Sequence, residues 1–410
     1  MTVQTFVAIG AGQTAAVAAR TLRRRGFDGR IVLVGDEPHM PYQRPPLSKE
    51  FLAGTDTLES LQILPEAWRT ANAVEVLTGA AVTRLDPNTR TVEIAGHKPI
   101  LADSVLIATG GRPRTLPVPG PRPDLVHQLR TIGDAQRLQR CLTPGQRLVL
   151  IGAGFIGLEI AATAVALGVD VTILEAAAVP LTAVVGARMG AECARMHRDR
   201  GVDLRTNAVV RSLRTTNDHV VIEIDDGPPL EADIAVVGIG IVLNTAVAAE
   251  AGLHIDDGIV VDAQGRTSIP NVFAAGDVAR RHSARAGRHV RFEHFDNANK
   301  QGAAVANAML GRDAVSDEAS WFWSDQFDHN IQFLGAATQT CDIVIRGNPA
   351  ERDFTAFYVD DGILCAAFAI DRGDDVMVAR ELLGRPVEAT VLADEDTDLW
   401  DLVDTEEAVQ

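Results

Sequence analysis

Two glycine-rich segments carry the clearest chemical signal in this sequence. Each follows a β-like run and opens a helix-like run, with small residues at the first, third and sixth positions of the segment. The first glycine allows a tight turn, the second lets the backbone approach a pyrophosphate, and the third small residue lets the helix pack closely on the strand. Unpaired N–H groups and positive potential at the helix start then favour a bound phosphate. The small residues are Gly10, Gly12 and Ala15 in the first segment and Gly152, Gly154 and Gly157 in the second.

An acidic residue follows each segment at the distance of a ribose contact. Asp36 and Glu37 follow the strand-like run 31–34, and Glu175 follows the run 169–174. Each acid lies about 20 residues beyond the glycine turn, which is the reach expected of a carboxylate that binds ribose hydroxyls. Two such units predict two nucleotides, and the usual pair is a resident FAD with a diffusing nicotinamide. Because Glu175 would repel a 2′-phosphate and no basic residue closely follows it, the sequence favours NADH over NADPH.

Two further strand-like segments contain motifs of a known family. The segment 105–113 contains Ala108-Thr109-Gly110, and the segment 271–278 contains Gly276-Asp277. At these residues the sequence resembles the pyridine-nucleotide flavoprotein reductases, whose A-T-G and G-D segments flank the two halves of the FAD domain. The closer resemblance, along nearly the whole chain, is to the ferredoxin reductases of bacterial oxygenase systems, of the putidaredoxin-reductase and biphenyl-dioxygenase-reductase type. It is carried by Arg44-Pro45-Pro46-Leu47-Ser48-Lys49, Leu129-Arg130-Thr131 and Trp321-Phe322-Trp323-Ser324-Asp325-Gln326.

The repeated units and the resemblance together predict an α/β fold with three parts. Two Rossmann-like dinucleotide-binding domains are expected in the arrangement of glutathione reductase, followed by a C-terminal α+β domain. The FAD-binding domain is expected to be discontinuous, at residues 1–110 and 240–315, with the NADH-binding domain at residues 111–239 inserted between its halves. The C-terminal domain is expected at residues 316–410.

The resemblance also implies which residues bind the two cofactors. For FAD these are Gly10, Gly12, Thr14, Asp36 or Glu37 at the adenosine ribose, Arg44, Pro45, Lys49 near the flavin, Val82 by the adenine, Ala108, Thr109, Gly110, Arg130 at the pyrophosphate, Gly276, Asp277 at the ribityl chain, Glu293, His294, and Phe295 by the ring. For NADH they are Gly152, Gly154, Ile156, Glu159, Glu175, Gly238 and Gly240. No thiol relay is expected, because residues 42–52 lack the cysteines that disulfide reductases and peroxidases of this fold place near the flavin. No metal site is predicted.

Lys49, Glu159 and Trp323 are the residues that the resemblance places at the chemistry. Hydride transfer needs the nicotinamide stacked on the flavin at about 3–3.5 Å, so the protein supplies position and charge. A cation such as Lys49 stabilises the negative charge gained on reduction, and Glu159 is placed to pair with it or to contact the nicotinamide amide. Trp321 and Trp323 share one strand face by their spacing. They either pack in the core of the C-terminal domain or, in the case of Trp323, shield the flavin edge.

Composition limits the partners and the compartment. A net charge of −17 argues against nucleic acid as the main partner. The longest uncharged apolar run, residues 234–243, is much shorter than the ~20 residues that a membrane-spanning helix needs. Four widely spaced cysteines without a CxxC pair favour buried thiols in a reducing compartment. The chain opens on a β-like run without a basic leader, so no signal peptide is expected, and the predicted location is the cytoplasm.

A local basic surface is expected if this acidic chain binds an acidic ferredoxin. Five arginines and two histidines occur from Arg280 to Arg291, with no acid between Asp277 and Glu293. This segment is the candidate docking patch for a transient [2Fe–2S] ferredoxin partner. Its alternative interpretation is a solvated loop.

These patterns predict an FAD-dependent NAD(P)H:ferredoxin oxidoreductase. The expected path runs from NADH to FAD and then, by single electrons, to a [2Fe–2S] ferredoxin that feeds a haem monooxygenase or a Rieske dioxygenase. One alternative on the same fold is an NADH oxidase or a rubredoxin reductase. Another is a flavoprotein that binds NADH as a signal with little turnover, as the similar apoptosis-inducing factors do.

Overall fold

The computed structural model describes residues 3–120, 122–225, 227–315, 317–338 and 340–403, so Ser316, Gln339 and residues 404–410 of the predicted C-terminal domain lie outside the described residues. Contacts between Cα atoms divide the chain into two compact units. Unit 1 contains residues 1–45, 57–112 and 241–318. Unit 2 contains residues 46–56, 113–240 and 319–410.

Most of the helices and strands are short, and several runs of consecutive strands occur between the helices. The strands are β1 (Thr5–Ile9), β2 (Arg30–Val34), β3 (Val74–Leu77), β4 (Val82–Asp86), β5 (Thr91–Ile94), β6 (Ile100–Leu101), β7 (Ser104–Ile107), β8 (Gly111–Pro113), β9 (Val126–His127), β10 (Arg147–Ile151), β11 (Asp170–Leu174), β12 (Asp203–Arg205), β13 (Val210–Thr215), β14 (Val220–Ile224), β15 (Leu230–Ala232), β16 (Ile234–Val237), β17 (Ile241–Leu243), β18 (Ile259–Val261), β19 (Val272–Ala274), β20 (Ala279–Ser283), β21 (Arg288–Val290), β22 (Trp321–Gln326), β23 (His329–Gly335), β24 (Asp342–Asn348), β25 (Asp353–Asp360) and β26 (Ile363–Ile370). The helices are α1 (Gln13–Arg24), α2 (Glu50–Ala53), α3 (Glu66–Ala71), α4 (Ile132–Cys141), α5 (Phe155–Ala166), α6 (Thr182–Asp199), α7 (Ala246–Glu250), α8 (Phe295–Met309), α9 (Gly373–Leu382) and α10 (Ala389–Ala393), with 3-10 turns at Pro45–Ser48 and Pro123–Leu125.

Unit 1 is built on a five-stranded parallel sheet in the order β19-β7-β1-β2-β3. After its first residue, each of the central strands β7, β1 and β2 is apolar, as expected of strands buried on both faces. Helices α1 and α8 cover one face, while the small β4–β6 sheet and α7 cover the other. Ile9 at the end of β1 is level with Val34 of β2 and Ile107 of β7, so these carboxyl ends share one edge of the sheet. The first glycine turn begins at that edge.

Unit 2 repeats this arrangement with the strand order β12-β11-β10-β16-β9, again parallel throughout. Ile151 at the end of β10 is level with Leu174 and Val237, and the second glycine turn follows Ile151. A five-stranded antiparallel sheet, β22-β23-β26-β25-β24, forms the C-terminal part. One face packs on α6 and the other on α9 and α10. The predicted fold class, with two Rossmann-like sheets and a C-terminal α+β region, is confirmed.

Residues 46–56 cluster with unit 2, although the sequence prediction assigns them to the FAD-binding domain. Two hydrogen bonds explain the difference. The Thr163 hydroxyl on α5 donates to the Ser48 carbonyl at 2.8 Å, and the Gln139 amide on α4 donates to the Phe51 carbonyl at 3.0 Å. Position along the chain could not reveal these contacts.

Across the described ranges, none of the helices has both the length and the apolar character needed to cross a membrane.

Candidate active site with two glycine turns and a buried lysine–glutamate pair

The glycine turn of unit 1 leaves space that a ligand can fill. Gly10 has φ +108°, and a Cβ atom there would lie 2.3 Å from the Ala108 carbonyl oxygen, so only glycine fits. Gly12 is the N-cap of α1, and no described side chain caps this helix start. A Cβ atom on Gly12 would meet no described atom within 4 Å. The open space beside uncapped N–H groups fits the approach of a dinucleotide pyrophosphate.

The turn of unit 2 has the same construction. Gly152 has φ +100°, and a Cβ atom there would lie 2.4 Å from the Gly238 carbonyl oxygen. Gly154 is the N-cap of α5 and provides no side-chain cap, and a Cβ atom on it would again meet nothing described within 4 Å. A Cβ atom on Gly157 would lie 2.6 Å from the Gly152 carbonyl oxygen, which explains the small residue at the sixth position. This turn therefore also fits a pyrophosphate.

The acid at the end of β11 reaches its glycine turn. One Glu175 carboxylate oxygen accepts a hydrogen bond from the Ala153 N–H at 2.7 Å, and the other accepts from the Ala177 N–H at 2.8 Å. The carboxylate therefore lies beside the turn, where a bound ribose would be expected. The structure also places Arg205 next to it, since the Glu175 N–H donates to the Arg205 carbonyl at 2.9 Å. Sequence order did not indicate that Arg205 lies beside Glu175. The Arg205 guanidinium is itself paired with Asp203 at 2.7 Å.

The acids predicted at the end of β2 differ from each other. One Glu37 carboxylate oxygen pairs with the Arg44 guanidinium at 2.6 Å, and the other accepts from the Tyr42 hydroxyl at 2.6 Å. Asp36 is exposed. These contacts hold Glu37 and Arg44 as a pair, while Asp36 is the acid that faces solvent.

Two residues that the sequence analysis missed secure the A-T-G and G-D segments. Asn244 donates its side-chain amide to the Thr109 carbonyl at 3.0 Å, and the Thr109 hydroxyl donates to the Asn244 carbonyl at 2.7 Å. The buried Gln301 side chain accepts from the Gly276 N–H at 2.8 Å. Gly276 has φ +81°, and a Cβ atom there would lie 2.5 Å from the Thr14 hydroxyl oxygen. No motif marks Asn244 or Gln301, because each acts through backbone atoms of a distant segment.

The remaining predicted FAD residues occupy varied environments. Val82 begins β4 and is partly buried against the unit 1 core. His294 is the N-cap of α8 and Phe295 is its first residue. Burial lowers the pKa of His294, while the nearby Asp277 acts in the opposite direction. Exposed Glu293 pairs with Arg291.

The predicted cofactor residues are divided between the two units. Of those predicted for FAD, Lys49 and Arg130 belong to unit 2 and the others to unit 1. All of those predicted for NADH belong to unit 2.

Arg130, predicted at the FAD pyrophosphate, lies just before α4 begins. Its backbone N–H donates to the Asp134 carboxylate at 3.1 Å.

Lys49 and Glu159 form a buried ion pair. The Lys49 ammonium lies 3.0 Å from one Glu159 carboxylate oxygen, and the two side chains are 10% and 7% exposed. The Ser48 hydroxyl donates to the same oxygen at 2.5 Å, and the Ser324 hydroxyl donates to the other at 2.7 Å. Burial raises the pKa of Glu159, while Lys49 and the two hydroxyls oppose that rise. The arrangement holds a positive charge in one place within a largely buried site.

The two tryptophans of β22 lie on one face, as their spacing predicts. Their rings stack with centroids 5.5 Å apart. Trp321 packs partly against the C-terminal core, and its indole N–H donates to Gln332 at 3.1 Å. The Trp323 indole N–H donates to Asp325 at 3.1 Å, and the ring is neither fully buried nor fully exposed. Trp321 therefore fits the packing interpretation better than Trp323 does.

The candidate docking patch carries less uncompensated charge than its sequence indicates. Three of its five arginines are in ion pairs, and Arg281 is buried. The pairs are Arg280 with Asp256, Arg281 with Asp317, and Arg291 with Asp257 and Glu293. Within the described part of the chain, the guanidinium groups of Arg285 and Arg288 are in no such pair. They are the arginines through which this segment could attract an acidic partner.

Comparison with known proteins assigns the chain to a family. The family described as pyridine nucleotide-disulphide oxidoreductase matches residues 4–302, and the family described as reductase C-terminal matches residues 321–403. The chain belongs to the pyridine nucleotide-disulphide oxidoreductase family. This oxidoreductase is 36% identical to putidaredoxin reductase of Pseudomonas putida, over 97% of this chain and 96% of that protein. It is 37% identical to a probable ferredoxin reductase of Castellaniella defragrans, over 94% of this chain and 98% of that protein.

Solved structures give the same result for the oxidoreductase. Putidaredoxin reductase, in its covalent complex with putidaredoxin, matches with a TM-score of 0.93 and 35% identity, covering 99% of each chain. The ferredoxin reductase of the CYP199A2 system from Rhodopseudomonas palustris matches with a TM-score of 0.93 and 35% identity, covering 98% of this chain and 100% of that chain. The predicted resemblance to ferredoxin reductases of oxygenase systems is confirmed.

A buried histidine of the oxidoreductase makes stability depend on pH. Burial lowers the pKa of His197 to about 4, so the folded protein binds this proton only near pH 4, whereas the unfolded chain binds it near the ordinary value of 6.5. The unfolded chain therefore binds more protons between these values. We expect the free energy of unfolding to fall by about 3 kcal/mol from this group as the pH falls from 7 to 4.

The measurement is denaturant unfolding of the wild type and of His197→Asn at both pH values. From pH 7 to pH 4, the free energy of unfolding should fall by about 3 kcal/mol more in the wild type than in the variant, which has no imidazole to protonate. His254→Asn, at an exposed position, is the matched control and should lose as much stability as the wild type. Equal losses in the wild type and His197→Asn would contradict the prediction.

Proposed function

We propose that this chain is an FAD-dependent NADH:ferredoxin oxidoreductase that passes electrons from NADH through FAD to a [2Fe–2S] ferredoxin serving an oxygenase. The observation that carries the proposal is the pair of glycine turns, each with open space beside an uncapped helix start. The chain also matches ferredoxin reductases over nearly its whole length. One of these relatives is the ferredoxin–NAD(+) reductase component of an anthranilate 1,2-dioxygenase system in Burkholderia cepacia.

The proposal assigns one nucleotide to each unit. In unit 1, Gly10 and Gly12 would hold the FAD pyrophosphate, and the Thr109 and Gly276 segments would border the same cofactor. In unit 2, Gly152 and Gly154 would hold the NADH pyrophosphate. We propose Glu175 as the ribose contact of NADH, because its carboxylate lies beside that turn. The predicted FAD-binding, NADH-binding and C-terminal domains remain the proposed functional division of the chain.

Lys49 and Glu159 are proposed to act in hydride transfer. Bound FAD would supply the redox chemistry, by accepting a hydride and releasing single electrons. Lys49 would place a positive charge that favours the reduced cofactor, and Glu159 would hold that ammonium in position. Trp323 is proposed as a shield for the flavin. The preference for NADH over NADPH is proposed from the negative charge of Glu175 and from the pairing of Arg205 with Asp203.

The proposed acceptor and location follow the same argument. A ferredoxin would dock transiently, and Arg285 and Arg288 are the proposed contribution of the 280–291 segment. A cytoplasmic location is proposed because NADH is an intracellular reductant and because the cysteines of the described ranges are free thiols.

Stopped-flow mixing tests the proposal. The purified protein, loaded with FAD, is mixed anaerobically with NADH or NADPH and then with a panel of [2Fe–2S] ferredoxins. We expect rapid flavin bleaching by NADH, slower bleaching by NADPH, and ferredoxin reduction with little oxygen consumption in an aerobic control. A protein that binds no FAD would overturn the proposal.

The same experiment separates the alternatives. Fast oxygen consumption without ferredoxin would favour the NADH oxidase, and electron transfer to rubredoxin alone would favour the rubredoxin reductase. Slow bleaching with a long-lived charge-transfer band would favour a flavoprotein that binds NADH as a signal. The near full-length likeness to ferredoxin reductases makes ferredoxin reduction with little oxygen consumption the expected outcome.

A further inference from the structure

A continuous chain of hydrogen bonds leads from a buried histidine to the lysine–glutamate pair. His197 Nε2 lies 2.9 Å from Gln326 Oε1. Gln326 Nε2 donates to Ser324 Oγ at 3.0 Å, and Ser324 Oγ donates to Glu159 Oε1 at 2.7 Å. Glu159 Oε2 lies 3.0 Å from the Lys49 ammonium. Side chains from α6, β22, α5 and the segment before α2 are thereby joined within unit 2.

The alternation of residues along β22 explains why the strand can contribute two members. Successive side chains of a strand point to opposite faces, so Phe322, Ser324 and Gln326 share the face opposite the tryptophans. All three are buried. Phe322 packs edge-on against Phe155 at the start of α5, with ring centroids 4.7 Å apart. The same face therefore brings the Ser324 hydroxyl to Glu159 one turn further along α5.

In each of these hydrogen bonds, the donor is on the His197 side and the acceptor is on the Glu159 side. Because Gln326 Oε1 can only accept, the neutral imidazole of His197 donates from Nε2. The other ring nitrogen, Nδ1, is buried and has no hydrogen-bond partner among the described residues. The Gln326 amide then donates to the Ser324 hydroxyl, and that hydroxyl donates to the Glu159 carboxylate. A series of hydrogen bonds with the same donor-to-acceptor direction stabilises the ionised Glu159 carboxylate at its end, because each bond polarises the next.

Burying these polar side chains costs free energy, and a role in the site would explain why they are present. Ser324, Gln326 and His197 each have no exposed surface, and Glu159 is also buried. Apolar residues of matching volume would pack in the same space without any polar group to satisfy. Among the described residues the charged group acting on Glu159 is Lys49, and its other contacts are the Ser48 and Ser324 hydroxyls. The orientation of Glu159 therefore depends on neutral donors as well as on its ion pair.

We propose that Ser324, Gln326 and His197 are positioning residues that act through Glu159 to hold the Lys49 ammonium in one orientation for hydride transfer. This inference rests on the proposed function of the pair. It gives the C-terminal strand β22 a role in the reductive half-reaction through a side chain that lies on the opposite face from Trp323.

The first test is Ser324→Ala in the FAD-loaded protein. Removing this donor leaves one carboxylate oxygen unsatisfied, and a hydrogen bond to a charged group is worth enough to change a rate about tenfold. We expect NADH to bleach the flavin about tenfold more slowly in single-turnover mixing. Gln326→Leu, which is one bond further from Glu159, should slow the bleaching less than Ser324→Ala does.

A second readout does not depend on turnover. The Glu159 carboxyl can be titrated by ¹³C NMR in protein labelled at its glutamates, with the signal identified by its loss in Glu159→Gln. Losing a donor to the ionised form should raise the carboxyl pKa in Ser324→Ala above its wild-type value. A residue that only fills space would leave this titration unchanged.

Thr355→Val is the matched control. The Thr355 hydroxyl is also buried in the C-terminal sheet and also donates to a carboxylate, that of Asp375 at 2.7 Å. Its loss should lower thermal stability without changing the bleaching rate or the Glu159 titration. If Ser324→Ala does not fold, Gln326→Leu carries the test alone through the same two readouts.

The outcomes separate this inference from the proposed function. Slower bleaching with a shifted Glu159 titration supports the positioning role. A Ser324→Ala protein with the wild-type rate and titration, or a Thr355→Val protein with the same losses, would overturn it. A wild-type protein that binds FAD but is not bleached by NADH would instead refute the proposed function.

Discussion

Gly12→Val is expected to give a folded protein that has lost its flavin. A Cβ atom at Gly12 meets nothing described within 4 Å, and the backbone there has φ −88° and ψ −164°, which valine readily adopts. The polypeptide therefore tolerates the change. The new side chain occupies the space beside the α1 N-terminus through which a pyrophosphate would approach. We expect FAD affinity to fall by about 100-fold and the isolated protein to be colourless.

Gly154→Val is the matched control at the equivalent position of unit 2. Its backbone is also extended, and a Cβ atom there also meets no described neighbour within 4 Å. This variant should remain yellow but require about 100-fold more NADH for half-maximal bleaching. The measurements are FAD titration by fluorescence, NADH dependence by stopped flow, and circular dichroism to verify folding. Full retention of FAD by a folded Gly12→Val protein would contradict the assignment of FAD to unit 1.

Breaking the Lys49–Glu159 pair is expected to slow flavin reduction by about 100-fold and to destabilise the fold at the same time. In Glu159→Gln the ammonium loses its counter-charge, and in Lys49→Met the carboxylate keeps only the Ser48 and Ser324 hydroxyls. Removing one partner of a buried pair typically costs ~3–5 kcal/mol, because the other charge remains desolvated. Each single variant should therefore show a lower free energy of unfolding and a lower bleaching rate.

The double variant separates stability from function. Lys49→Met combined with Glu159→Gln leaves no buried charge at this position, so its loss of stability should be smaller than the sum of the two single losses. Its bleaching rate should stay as low as that of Lys49→Met, because the positive charge is absent in both. Denaturant unfolding and single-turnover mixing give the two quantities. A double variant that regains the wild-type rate would show that the pair is structural only.

The two glycine turns could be predicted from local sequence because each is built by a local pattern. A strand, a glycine turn, a helix and a second strand with its acid occupy about 30 consecutive residues, and the backbone conformation of the turn requires glycine. The φ values of Gly10 and Gly152 and the reach of Glu175 to Ala153 agree with that pattern. The different surroundings of Asp36 and Glu37 were beyond this reasoning, since Glu37 is held by Arg44 and Tyr42.

Charge compensation was equally hidden. The acid-free stretch around Arg280 to Arg291 predicted a strongly basic surface, but Asp256, Asp257 and Asp317 lie elsewhere in the sequence and pair with three of its arginines. A charge run in sequence shows which residues are neighbours along the chain. It does not show which carboxylates the fold brings alongside.

The amino-acid sequence determined the fold class, the two glycine turns and the likeness to ferredoxin reductases, because these follow from periodicity and from short motifs. Only the tertiary structure decided what surrounds Glu159. Ser48 and Ser324 lie 111 and 165 residues away from it in sequence, and each is an ordinary serine in its own segment. Packing of β22 on α5 brings Ser324 to the carboxylate. The turn that ends at Ser48 is held to α5 by the Thr163 hydroxyl, which donates to the Ser48 carbonyl. Such packing is a property of the assembled core that no single segment encodes.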